Sequence, residues 1–140
     1  MDRTADGHDF YSQAEERAVS LREGVRQVPP RDLLERTALF GEAVVSFAKR
    51  ISKNTVTEPL IHQFVKAGTS VGANYCEADD PLSRRDYMKA IGICRKESKE
   101  AQFWLRMIAS SEPVLKDAAR PLWNEAKELN LIFGAIYRKK

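Results

Sequence analysis

Two lines of polar residues in this chain have the type and spacing to do chemistry. Lys66, Ser70, Asn74 and Glu77 follow one another four, four and three residues apart, which puts them on one face of a helix. Further along, Glu97 and Glu100 fall in line with Ile93, Trp104 and Met107. Two carboxylates in a partly apolar stripe need partners, because an unpaired buried charge is expensive. The simplest answer is a structural network in which Lys66 and Asn74 satisfy the glutamates across a helix interface and fix its register. A sharper alternative makes Glu77, Glu97 and Glu100 metal ligands. Bundle di-metal sites usually supply Glu-x-x-His from two helices. This chain offers Glu-x-x-Glu, and neither His8 nor His62 is suitably placed. No metal and no cofactor are therefore expected, and nothing indicates a cleft where a carboxylate pair would cleave a glycosidic bond.

The second constellation is basic. Arg85, Lys89, Lys96, Lys99 and Arg106 share a helical face, with Gly92 and Phe103 between them. Cations along about 30 Å of helix can track phosphates, and an aromatic ring among them can stack on a base. The same residues also fit a solvated face with ordinary pairs such as Lys96 with Glu100. No RNP motif, zinc finger or basic zipper accompanies them. Catalytic signatures are absent as well: there is no GxSxG, P-loop, GxGxxG or HExxH. No catalytic residue is assigned, and the chain reads as a non-enzyme.

The elements that must position these residues are helices. After Pro30, Leu33, Thr37, Phe40, Val44, Phe47 and Ile51 recur at alternating spacings of four and three, the seam of a bundle helix. Asp32 and Glu35 suit a capping box at its start, and Lys49, Arg50 and Lys53 crowd its last turn. A second helix spans about 56 to 78, with Leu60, Phe64, Ala67, Val71 and Tyr75 inward. Gly68 and Gly72 beside them imply the close approach of another backbone. Ser83 and Asp86 cap a third helix, which buries Tyr87, Ile91, Cys94, Ala101, Leu105 and Ile108. Leu122, Ala126, Leu129, Ile132, Phe133 and Ile136 mark a fourth, with Pro121 expected in its first turn. The expected fold is all-α, an antiparallel up-down-up-down four-helix bundle over residues 31–140.

Residues 1–30 lack a sustained apolar face and read as a mobile N-terminal arm. They carry four arginines against six acids, leaving nineteen basic and fourteen acidic residues for the bundle. Cys76 and Cys94 form no zinc or redox motif, and both sit in apolar patterns as small buried hydrophobes. With no apolar leader at the N-terminus and no run of about 18 apolar residues, a cytoplasmic protein without a membrane partner is expected. Leu34, Ala38, Gly41, Val45 and Ala48 form a second line on the first helix, and Leu131 and Tyr137 lie off the fourth helix's stripe. Such an apolar excess suits either a wide core or subunit contacts.

Residues 66 to 108, KAGTSVGANYCEADDPLSRRDYMKAIGICRKESKEAQFWLRMI, resemble a family of small bacterial four-helix bundle proteins encoded within intervening sequences of 23S ribosomal RNA genes. The resemblance rests on Ser70, Ala73, Asn74 and Glu77, then Ser83, Asp86 and Tyr87, then Lys96, Glu97, Glu100, Trp104 and Leu105. The stretches DLLERTALFGEAVVSFAKRISKN and LWNEAKELNLIFGAIYRKK look like the family's first and last helices, so the likeness covers about residues 31–140. Lys66 stands where an arginine is common, and Cys76, the Asp79-Asp80 pair and Pro121 are departures. The resemblance implies a left-handed bundle assembled as a pentamer. Related accessory proteins of diversity-generating retroelements bind nucleic acid and a reverse transcriptase. The function expected is therefore a non-catalytic homo-oligomer that binds a partner, possible partners being RNA, DNA or a protein that handles them. A purely structural or protein-interaction module is the alternative.

Overall fold

The computed structural model describes residues 30 to 139, so the N-terminal arm lies outside the described residues. Four helices account for most of them: α1 (Pro30–Ala48), α2 (Thr57–Asp79), α3 (Arg84–Ser111) and α4 (Lys116–Arg138), with a 3₁₀ turn at Pro113–Leu115. No strand occurs among the described residues.

The links are built by short polar side chains. Asn54 accepts hydrogen bonds at Oδ1 from the Val56 and Thr57 amides, both at 2.9 Å. Its own amide donates to Thr57 Oγ1, and that hydroxyl donates to Ser52 O. Asn54 thereby organises the start of the second helix. Ser83 Oγ accepts from the Asp86 amide at 3.1 Å, the N-cap anticipated from the sequence.

Three boundaries differ from expectation. Helix α1 begins at Pro30, so Asp32 lies inside it rather than capping it. It ends at Ala48, leaving Lys49 and Arg50 in the turn that follows rather than in the last helical turn. That turn folds Ile51 back into the core, where it is buried. Helix α4 begins five residues before Pro121, which therefore sits beyond the first turn. The missing proline N–H forfeits one bond, to the carbonyl of Asp117 in that turn.

Consecutive helices run antiparallel, as their contacts show. Between α1 and α2, a Cβ on Gly68 would meet Val44 Cγ2 at 2.6 Å, and one on Gly72 would meet the Thr37 carbonyl oxygen at 3.2 Å. Gly72 thus allows the backbone approach the two glycines implied. Between α2 and α3, the Cys94 thiol donates to Val71 O at 3.4 Å. Burial pushes that thiol up to about 12. Between α3 and α4, Gln102 Nε2 donates to Trp123 O and Asn130 Nδ2 to Arg95 O. Phe40, Phe64 and Phe133 are fully buried at the centre. Each such side chain contributes about 2–3 kcal/mol against about 1 kcal/mol for a helix cap, so packing dominates capping.

One polar contact joins the first and last helices. Arg36 Nε and Nη2 donate to the two carboxylate oxygens of Glu125 at 2.8 and 2.7 Å, with both side chains almost wholly buried. Arg36 Nη1 is buried without a hydrogen-bond partner. Replacing Arg36 by Ala takes both of these bonds from a buried carboxylate and should cost about 3–5 kcal/mol in urea denaturation, whereas Arg36→Met combined with Glu125→Leu should recover most of the loss.

Candidate nucleic-acid interface

Four of the six residues expected in a polar network meet between α2 and α3. Ser70, Glu100 and Lys66 are all near enough to act on the Glu97 carboxyl. Burial first, and the neighbouring Glu100 charge second, raise the Glu97 carboxyl above its usual range, while Ser70 and Lys66 pull the other way. The other two residues stand apart. Asn74 Nδ2 donates to Ser70 O on its own helix at 2.8 Å. Glu77 is exposed. Among the described residues, no group of three or more His, Cys, Asp or Glu side chains is placed to hold a metal.

All five cations of the α3 stripe (Arg85, Lys89, Lys96, Lys99 and Arg106) are exposed. None has a carboxylate within ion-pairing distance among the described residues, and the pair considered between Lys96 and Glu100 is not formed. Phe103 is 50% exposed and meets Trp104 edge-on, with ring centroids 5.0 Å apart. Trp104 in turn packs against the core, so Phe103 stands on a firm base.

Two features escaped the sequence reading. Arg95, half-buried on the flank of α3 that meets α4, stacks over the Tyr137 ring at 5.3 Å. On α4, Lys116, Arg120, Lys127 and Arg138 are exposed, and Lys127 lies over Trp123 at 5.7 Å. Their offsets from Lys116 are four, eleven and twenty-two, a helical line that was legible once α4 was known to begin at Lys116. Cys76 is a correction: it is exposed, not buried. Of the apolar excess, Ala48 belongs to the core, whereas Val45 and Leu131 are exposed. His62 is exposed beside an open, shallow depression lined by Lys53, Glu58, Ile61, Val65 and Lys66.

The fold has a solved counterpart. A crystal structure of a protein of unknown function from the S23 ribosomal protein family, from Bacteroides thetaiotaomicron, superposes with a TM-score of 0.68 at 22% identity, covering 79% of this chain and 99% of that one. The likeness is one of fold. No family model matches the chain, and no curated protein matches it. No helix among the described residues is long and apolar enough to cross a membrane.

The Glu97 geometry has a testable pH signature. Its carboxyl holds a proton to higher pH when folded, so its contribution is fully present below the ordinary range near about 4.3 and is lost as pH rises through the raised value. Glu97→Gln, which keeps an acceptor for Ser70, should raise Tm at neutral pH. The gain should shrink toward zero as the melt is repeated at pH values falling below that range.

Proposed function

We propose that the chain is a non-catalytic, homo-oligomeric member of the bundle family encoded in 23S ribosomal RNA intervening sequences, and that it binds RNA or DNA through α3. The observation that carries this reading is the row of exposed cations without carboxylate partners, with a half-exposed phenylalanine among them. A face built only for solubility is better served by interspersed charges of both signs. An array of one sign along about 30 Å instead favours a polyanion, whose counterions are released on binding. The structural likeness to an S23-family protein supports the family assignment. The lack of catalytic motifs favours binding over chemistry. We place the protein in the cytoplasm, where its two free cysteines, Cys76 and Cys94, stay reduced.

Exposed Val45 favours burial against a further subunit, and the family resemblance supports a pentamer. Light scattering should return five times the chain mass of 15.9 kDa. A monomer at micromolar concentration would remove the oligomeric part of the proposal.

Binding should fall steeply with salt, because each cation–phosphate contact releases counterions. Fluorescence anisotropy with structured RNA and with duplex DNA should give measurable affinity at low salt. Charge reversal at Lys89, Lys96 and Lys99 should weaken it by more than about tenfold and flatten the salt dependence by about three contacts. Undetectable affinity at low salt, or indifference to the reversal, excludes nucleic acid and leaves the protein-interaction alternative.

A further inference from the structure

The α3 row is half of a larger surface. Helices α3 and α4 pack antiparallel, and the contacts between them place Arg95, Gln102, Trp123, Asn130, Gly134 and Tyr137 along one seam. Lys116, Arg120, Lys127 and Arg138 run along the outer side of that seam on α4, all exposed. Of the acids of these two helices, Glu97 lies towards α2, Glu125 and Glu128 are buried, Asp86 and Asp117 sit in first turns, and exposed Glu100 flanks the α3 row.

At Gly134 the two rows converge. A Cβ there would lie 3.2 Å from Arg138 Nη1 and 3.6 Å from Arg95 Cδ, so the Arg138 guanidinium and the aliphatic stem of Arg95 meet over a buried glycine. Neither has a carboxylate within ion-pairing distance among the described residues. Two cations that reach the same stretch of seam favour an anion between them.

The shape of the face selects among polyanions. Packed helices lie about 8–10 Å apart, a spacing comparable to the phosphate rows that border a duplex groove about 6–12 Å wide. A binder of single strands needs open rings on which bases stack. Here the seam is filled: Tyr137 carries Arg95, Trp123 carries Lys127, and Tyr137 Cε2 fills the space over Gly92 at 3.1 Å from a would-be Cβ. The seam offers charge along two ridges and no slot for an unstacked base, and the open ring on α3, half-exposed Phe103, is a single platform outside it.

Resting on the nucleic-acid reading above, we infer that the ligand is double-stranded and lies across both helices, with α4 supplying the second row of phosphate contacts and Arg95 with Arg138 clamping one phosphate. The test uses the full chain and measures anisotropy with a short blunt RNA duplex, the same duplex in DNA, and one of its single strands. Either duplex should bind at least about tenfold tighter than its own strand at low salt. Arg120→Glu with Lys127→Glu should weaken duplex binding by about 10–100-fold and lower the salt slope by about two contacts. The neutral pair Arg95→Gln with Arg138→Gln tests the clamp without introducing a new charge, and should lower the slope by about one. Circular dichroism and light scattering confirm that each variant folds and assembles. If the α4 variants bind as the parent does while α3 reversal abolishes binding, the two-row inference fails and the α3 reading stands. Equal or tighter binding of the single strand overturns the duplex assignment. No binding by any of the three polymers removes both.

Discussion

The bidentate pair between Arg36 and Glu125 is the constraint around which the bundle is arranged. Helix α1 packs closely on α2 but touches α4 only slightly, so its rotation needs a fixed point on the far side. A planar guanidinium meeting a carboxylate through two parallel bonds supplies one, because such a fork tolerates little twist. With α1 held in that rotation, Phe40 and Val44 face the centre, Val44 fills the space over Gly68, and the Thr37 carbonyl lies over Gly72. A pair of apolar residues could fill the same volume, yet it would not dictate the same angle. The desolvation cost of two buried charges is then the cost of specificity.

A second regularity follows from where the remaining charge can go. On α4 the carboxylates are drawn inward or to the helix start: Arg36 answers buried Glu125, Glu128 is buried, and Asp117 stands in the first turn. Cations are left on the outward sides of α3 and α4, with long side chains reaching into solvent and two of them lying over aromatic rings. The bundle therefore has a polarity across its section that the modest net charge of +3 conceals.

Much of the architecture was legible from period alone, since Leu33, Phe40, Val44 and Phe47 on α1 and Leu122, Leu129 and Phe133 on α4 recur as a buried seam must. Arg36 and Glu125 were missed because charged residues are set aside when a seam is traced, although each stands three residues after a buried leucine and four before another buried side chain. Cys76 was misplaced by drift: a line stepped every four residues turns about 40° per step, so two steps from Gly68 carry it out to solvent. For the polar cluster, spacing revealed which residues share a face. It could not reveal that Asn74 would bond to its own backbone. The α4 row was obscured by Pro121, which made the helix appear to begin later than it does.

The link between α1 and α2 bears on the order of events in folding. Asn54, Thr57 and Ser52 tie that turn with bonds spanning five residues or fewer, while Arg36 and Glu125 are separated by 89. Contacts close in sequence form at little cost in chain entropy, and distant ones wait on prior collapse. The α1–α2 hairpin is thus the natural early unit, and the ion pair a late latch whose loss speeds unfolding more than it slows folding.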